Sequence, residues 1–461
     1  MTKRVSWPVL ALFLVGVFQS DARGALRAGG AKVNITPPVG VWLSGYGARD
    51  KPSDDVQDDL FARALVVDDG SHTVALIAVD LLWVPRPMTN AIRDLVLSRT
   101  GIPGQNVMIC ASHTHFGPKI YGKTKLGPDV EDNSIDDAYV QTLTKKIADA
   151  VFLAHKDMQA ARLGAKCTEL AEVTFHRRPK SADGSVATTF SLPDEILASR
   201  KIVREPDDAM RVTFTYPEGR PQPTFGPIDP QVWTLRVEDA NGVLLGSMVN
   251  FACHAVSGSR YPEWFYSISG DYPGETARVV ECVEGGVCLF TSGTAGDIVP
   301  LKRGRAPRYQ IGRAVAGAAV RGLQFVSMAD NITVAGQTMA IEIPLRDDLL
   351  EGRIVDADAD QGSLRTEIQV IRFGDIYLLG LPGEILVELG LELKQKAPIE
   401  RLIIASLAND VIGYVCHAAA YDEGGYESEQ GTNLAQGAGE LLVSRALELI
   451  GQMKQTALAS P

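Results

Sequence analysis

Histidine and carboxylate residues stand just after predicted strands at four places along the chain. His113 and His115 follow one apolar run, His254 follows a second, and Asp297 and Glu384 follow two more. A His-x-His pair or a Pro-Gly-Glu turn is weak support by itself, because neutral imidazole also packs well in a protein core. Together, however, imidazole nitrogens and carboxylate oxygens are the ligands that zinc prefers. The joint pattern predicts a zinc site.

The elements that must position these residues form an α/β pattern, in which apolar β-type runs alternate with helix-like segments. This pattern predicts a mixed, largely buried β-sheet core flanked by helices. Groups just past the carboxyl ends of strands share a crevice in such sheets, so the predicted ligands should meet there. The predicted strands cover residues 74–84, 106–111, 243–251, 287–290, 376–379 and 402–405. The predicted helices cover residues 88–98, 137–154, 312–325, 385–395 and 438–453.

The chain has 461 residues, yet no Gly/Ser/Pro linker divides it into halves. We therefore expect a single catalytic domain over residues 23–461. Residues 176–230 are irregular and rich in Pro, Arg and Asp, which indicates an insertion or a lid over the core.

The first 22 residues resemble a signal peptide, with Lys3 and Arg4 before a short apolar run and Ser20-Asp21-Ala22 as a small-residue cleavage site. The apolar run is shorter than the roughly 20 residues that span a bilayer, and no later stretch of that length lacks polar residues. The sequence predicts cleavage near Ala22 and an exported protein, periplasmic or secreted, without a transmembrane segment.

The formal net charge of −11 argues against nucleic acid as a partner, because phosphates favour basic surfaces. Six cysteines are too few for a disulfide scaffold in a chain of this length. Cys282 and Cys288 flank Gly285-Gly286 and would close a small loop as a disulfide or remain two thiols; spacing alone does not decide.

Several segments, in a fixed order from about residue 30 to 435, resemble the neutral ceramidase family. Tyrosines at 414, 421 and 426 have the family's spacing of seven and then five residues. The other matching segments are Gly45-Tyr46-Gly47, Phe61-Ala62-Arg63-Ala64, His113-Thr114-His115-Phe116-Gly117-Pro118, Asn250-Phe251-Ala252-Cys253-His254 and Pro382-Gly383-Glu384. The combination is specific, although no single motif is. The resemblance implies a ceramidase-like catalytic domain.

The resemblance also implies a role for each matching residue. His113, His254, Glu384 and Tyr414 would bind Zn²⁺, and His115 and Tyr426 would face the substrate as donors to the developing oxyanion. Asp297 would be the general base. Arg177 would bind substrate, on a looser match to the family's Asn-Arg-Ser-Pro. The implied activity is hydrolysis of an N-acyl (amide) bond in ceramide, the family's sphingolipid substrate, or in another N-acylated lipid, amino acid or sugar.

The chain departs from the family pattern in the segment Gly296-Asp297-Ile298-Val299-Pro300, where Val299 stands in place of a serine. Valine has no hydroxyl, so the alternative is a zinc-containing binding protein that has lost turnover. A serine hydrolase is disfavoured because the chain has no Gly-x-Ser-x-Gly elbow. The chain also leaves no room for the immunoglobulin-like C-terminal domain that ceramidases typically add, so none is expected.

Overall fold

The structure is a computed structural model that describes residues 25–121, 135–258, 264–348 and 362–459. The predicted signal peptide lies outside these residues. No helix among them is long and apolar enough to cross a membrane.

The described strands are numbered in chain order. The first eleven are β1 (Arg27–Asn34), β2 (Asp55–Val56), β3 (Phe61–Asp68), β4 (Thr73–Val79), β5 (Val107–Ala111), β6 (Gln159–Glu169), β7 (Thr174–His176), β8 (Lys201–Arg204), β9 (Met210–Thr213), β10 (Pro227–Ile228) and β11 (Gln231–Asp239). The others are β12 (Leu244–Phe251), β13 (Ser267–Ile268), β14 (Val287–Ser292), β15 (Ile298–Pro300), β16 (Val334–Pro344), β17 (Ser363–Phe373), β18 (Ile376–Gly380), β19 (Glu384–Ile385), β20 (Arg401–Ala405) and β21 (Tyr414–Val415).

The described helices are α1 (Arg86–Thr100), α2 (Asp137–Lys156), α3 (Asp194–Leu197), α4 (Asp271–Glu284), α5 (Arg305–Gln324), α6 (Val387–Lys396), α7 (Ala419–Glu423), α8 (Tyr426–Glu429) and α9 (Ala438–Ala459). A 3₁₀ turn at Gly104–Asn106 precedes β5.

Two sheets pack face to face between layers of helices. The larger has the order β14-β12-β11-β6-β1-β3-β4-β5, and the smaller has the order β16-β17-β18-β20. One apolar cluster joins their inner faces, with Leu76 and Met248 of the large sheet packed with Leu378 and Ile403 of the small one. Helices α1 and α2 cover part of the outer face of the large sheet, α4 and α5 another part, and α6 and α9 cover the small sheet. The order of layers is therefore helix, sheet, sheet, helix, as apolar faces on both sides of each sheet require.

Three parallel strand pairs lie within these otherwise antiparallel sheets. β4 pairs with β5, β12 with β14, and β18 with β20, each pair being connected through a helix. Parallel pairing brings the carboxyl ends of both strands to one edge, and the predicted chemistry-bearing residues follow these strands.

The predicted α/β fold with a mixed, largely buried sheet is confirmed, and each predicted strand and helix overlaps an observed element. The prediction did not include α4 or the antiparallel strands β1, β3, β6, β11, β16 and β17. Residues 176–230 contain α3 and a small sheet of the order β10-β9-β8. Their role as a lid stays a prediction. The cysteines at 282 and 288 are both free, the first exposed and the second buried, so the disulfide alternative is not formed.

Candidate active site

Two histidines begin the site, each just past the end of a parallel strand. His113 lies two residues after β5. Its backbone φ is 64°, in the left-handed region that residues other than glycine rarely adopt. Its Nδ1 lies 3.0 Å from the carbonyl oxygen of Leu82. His254 lies three residues after β12, and its Nδ1 lies 2.5 Å from the carbonyl oxygen of Ala295. A carbonyl only accepts hydrogen bonds, so Nδ1 carries a proton in both rings, and the neutral form of each ring presents a lone pair at Nε2.

A carboxylate and a phenol complete the group. Glu384 and Tyr414 are direct partners in the short parallel pair β19–β21, which holds the two side chains next to each other. Glu384 Oε2 lies 3.2 Å from His113 Nε2 and 3.0 Å from His254 Nε2. The Tyr414 hydroxyl oxygen lies 3.2 Å from His254 Nε2. We call these four residues the metal cluster.

The separations and the donor types of the metal cluster fit zinc. Tetrahedral bonds of about 2.0–2.1 Å place neighbouring ligand atoms roughly 3.3 Å apart, close to the distances observed. All four side chains are buried. Two imidazole nitrogens at 3.0–3.2 Å from one carboxylate oxygen are favourable with a shared metal cation or with a proton on a ring nitrogen.

Burial and neighbouring charges shift the pKa of three side chains in the metal cluster. Burial, reinforced by the nearby Arg177 charge, lowers the pKa of His254 to about 4, so the ring is neutral. Burial raises the pKa of Glu384, but His113 and His254 outweigh burial and hold it well below its usual range. Burial chiefly raises the pKa of the Tyr414 hydroxyl well above its ordinary value.

His115 and Tyr426, the residues predicted to face the substrate, lie beside the metal cluster. His115 Nε2 is 3.3 Å from His113 Nε2, and burial with the neighbouring histidines lowers its pKa well below the ordinary value. Its Nδ1 is buried without a hydrogen-bond partner among the residues of the structure. The ring of Tyr426 packs edge-on against that of Tyr414, with centroids 5.7 Å apart.

Arg177 reaches the metal cluster from the loop after β7. Its Nη2 donates to the Tyr414 hydroxyl oxygen at 3.0 Å, and its Nε donates to Glu427 Oε1 at 2.6 Å. The guanidinium therefore contacts a predicted metal ligand. Its predicted contact with substrate stays a prediction.

Asp297, the predicted general base, lies in a different cluster. Its side chain is fully buried; Oδ1 accepts the Val387 backbone N–H at 2.9 Å, and Oδ2 lies 3.1 Å from His176 Nε2. The same His176 nitrogen lies 3.1 Å from Glu388 Oε1. We call His176, Asp297 and Glu388 the proton cluster. The structure thus brings Asp297 to His176 and not into the contacts that define the metal cluster.

The proton cluster was missed by sequence analysis, although a signal for part of it existed. Glu388 lies four residues after Glu384, one turn into the region predicted as a helix. His176 directly precedes Arg177, but it lies in a stretch that has no periodic pattern to indicate its direction. Burial lowers the pKa of His176, and Asp297 and Glu388 outweigh burial and raise it to about 10.

Val299, which replaces the family's serine, belongs to an apolar cluster. It pairs with Phe175 between β15 and β7, is fully buried, and packs in a group that includes Phe214, Phe225 and Val387. Its methyl groups fill space in the core beneath residues 176–230.

The fold and the site together define an α/β protein with a buried two-histidine, carboxylate and phenol cluster suited to zinc. Residues 27–184 match the family described as neutral/alkaline non-lysosomal ceramidase, N-terminal. The chain is 28% identical over 150 residues to a neutral ceramidase of Mycobacterium tuberculosis, which covers 31% of this chain and 23% of that protein. It is 25% identical over 262 residues to neutral ceramidase B of Dictyostelium discoideum, which covers 53% of this chain and 31% of that protein. These matches thus span less than a third of either relative.

A solved structure extends the comparison over nearly the whole chain. The crystal structure of neutral ceramidase from Pseudomonas aeruginosa superposes with a TM-score of 0.67 at 19% identity, over 93% of this chain and 75% of that one. A ceramidase complexed with C2 gives a TM-score of 0.70 at 18% identity, over 94% of this chain and 76% of that chain. The predicted resemblance to the neutral/alkaline ceramidases is confirmed, and the fold is the one that these structures share.

Proposed function

We propose that the protein is a zinc-dependent amidohydrolase that cleaves an N-acyl bond. The observation that carries the proposal is the convergence of two Nε2 lone pairs on one carboxylate oxygen, at 3.0 and 3.2 Å, with a phenol oxygen beside them. Two backbone carbonyls fix the histidine tautomers that zinc requires.

His113, His254, Glu384 and Tyr414 would hold the ion. Bound zinc lowers the pKa of a water from about 15.7 to about 7 and polarises the amide carbonyl. His115 has a neutral ring beside the cluster and is suited to donate a hydrogen bond to the oxygen of the reacting carbonyl, and the ring of Tyr426 packs edge-on against Tyr414. The role of Asp297 as general base remains a prediction from the resemblance.

The substrate class follows from the relatives, which are named neutral ceramidases. We propose an N-acylated lipid such as ceramide, with an N-acylated amino acid or sugar as a further option. Export after signal-peptide cleavage near Ala22 is part of the proposal, and the mass of the mature N-terminus tests it; an intact Met1 would contradict export.

The alternative is a zinc-containing binding protein that lost turnover through Val299. The position of Val299 supports the enzyme instead, because its side chain fills an apolar cluster with Phe175 and Phe225. A serine there would meet methyl and ring carbons.

Purified protein should be assayed for zinc by elemental analysis and for turnover on a panel of N-acyl lipids, amino acids and sugars. Bound zinc with turnover of at least one class supports the enzyme. Bound zinc without turnover of any class would favour the binding protein. Protein that binds no zinc after exposure to the ion would contradict both.

A further inference from the structure

The Arg177 guanidinium is buried and donates hydrogen bonds to two side chains of the protein, Tyr414 and Glu427. Its side chain is 3% exposed. Nη2 donates to Tyr414, Nε donates to Glu427, and the guanidinium lies over the rings of Phe190, Tyr414 and Tyr426 with centroid distances of 5.3, 5.5 and 5.8 Å. A planar guanidinium held by a hydrogen bond at two of its nitrogens and by ring faces has one orientation.

Glu427 fixes that orientation from the opposite side. It is 0% exposed, and its Oε2 accepts from Arg178 Nη1 at 2.9 Å and from Thr188 Oγ1 at 3.0 Å. Two arginines therefore share one buried carboxylate. Arg178 also pairs with Glu423 at 3.5 Å, whereas the second partner of the Arg177 guanidinium is the Tyr414 hydroxyl oxygen.

We infer that Arg177, oriented by Glu427, is a positioning residue that holds the Tyr414 oxygen in the metal cluster. An N–H donor at 3.0 Å from this oxygen directs it, and the positive charge compensates the negative charge that Glu384 and a metal-bound phenol oxygen add in a buried site. The inference rests on the proposed function for the metal, and it gives Arg177 a role other than the substrate contact that the resemblance implies.

The test is the zinc affinity of metal-stripped protein, measured by competition with a chromophoric chelator in the absence of substrate. Arg177→Lys keeps the positive charge but loses the planar guanidinium that donates to Tyr414 and Glu427 at once. Glu427→Gln keeps the size of the side chain but loses the carboxylate charge that orients Arg177. Each should weaken zinc binding by roughly 10–100-fold, as loss of groups that orient metal ligands typically does. Glu423→Gln is the matched control, because Glu423 pairs with Arg178 and Lys180 at the far end of the same network. It should bind zinc as the natural protein does.

A double-variant cycle decides whether Arg177 acts through Tyr414. Tyr414→Phe alone should weaken binding, and adding Arg177→Lys to it should cause no further loss, because the contact is already gone. Independent, additive losses would overturn the inference. If Arg177→Lys and Glu427→Gln both bind zinc with the affinity of the natural protein, and Arg177→Lys has a raised KM, the inference is wrong and Arg177 binds substrate instead. Failure of the unsubstituted protein to bind zinc would instead refute the proposed function itself.

Discussion

The metal cluster and the proton cluster both place a carboxylate beside a buried histidine, but the pKa values of His254 and His176 are shifted in opposite directions. Donor atoms of His113, His115 and His254 lie within 4.8 Å of one another, and so do those of His176, Asp297 and Glu388. Burial lowers the pKa of His254 to about 4, whereas two carboxylates overcome burial and raise that of His176 to about 10. Donor distance alone therefore does not identify a metal site.

The difference lies in what faces each ring nitrogen. Carbonyl oxygens face Nδ1 of His113 and His254, so Nε2 is free to bind a cation. The Arg178 backbone N–H donates to Nδ1 of His176 at 3.2 Å, which leaves the proton of the neutral ring on Nε2. In the charged ring Nδ1 carries the second proton and no longer accepts from Arg178, so Nε2 is protonated in both forms. His176 is therefore a poor metal ligand, and its Nε2–H donates to Glu388 and lies at ion-pair distance from Asp297.

The largest expected effect is loss of bound zinc, and only substitutions in the metal cluster should cause it. His113→Ala and Glu384→Ala should remove bound zinc and turnover, since each deletes a ligand. His176→Ala, a matched histidine deletion, should retain the metal. Elemental analysis of the dialysed proteins measures all three. Full zinc content in both ligand variants, or its loss from His176→Ala, would erase the distinction between the clusters.

A second prediction concerns Asp297. If it is the general base, Asp297→Asn should keep zinc and lose turnover on the order of 100-fold. His176→Gln removes the partner of Asp297 and leaves the carboxylate itself, so it should cost far less. Steady-state kcat values for the two variants make the comparison. Equal losses would mean that Asp297 acts only through its ion pair with His176.

The third prediction is a pH dependence of stability that belongs to the proton cluster. The pKa of His176 is raised to about 10 in the folded protein, above the ordinary value of about 6.5. The contribution of His176 to the free energy of unfolding is therefore full below about pH 6.5 and is lost as the pH rises through about 10. His176→Gln should reduce the free energy of unfolding most near pH 6 and least near pH 10. Urea denaturation of the zinc-stripped proteins at several pH values tests this. A loss of unfolding free energy in His176→Gln that does not change with pH would contradict it.

The smallest effect is expected at Val299, which belongs to neither cluster. Val299→Thr keeps the shape and buries a hydroxyl, and Val299→Ser also removes a methyl group. Each should cost about 1–3 kcal/mol of stability, with Ser at the upper end. Thermal unfolding measures the loss. A clear rise in turnover on ceramide in Val299→Ser would instead show that the side chain at this position reaches the substrate.

Sequence patterns located the parallel strands and the residues at their ends, because buried parallel strands are continuous apolar runs with an unambiguous terminus. The antiparallel strands were harder to recognise. β6, for example, carries Arg162 and Lys166 among small residues, and its partners are distant in sequence.

For the site, strand ends indicated His113, His254 and Glu384 without other knowledge, but Tyr414 was found only through the family's tyrosine spacing. Asp297 was assigned to the correct edge of the sheet, yet the direction of its side chain depends on His176 and the N–H of Val387. Neither partner is visible as a local pattern, because both contacts join segments that are far apart in the chain.

The position of the four predicted ligands along the chain has a consequence for biosynthesis. His113 and His254 follow strands of the large sheet, whereas Glu384 and Tyr414 belong to the short pair beside the small one. During synthesis the two histidines emerge long before the carboxylate and the phenol, so the early chain holds an incomplete donor set. With zinc bound by these four residues as proposed, tight capture of the ion would have to wait until Tyr414 has been synthesised and the two sheets have docked, which would make metal uptake a late event in maturation.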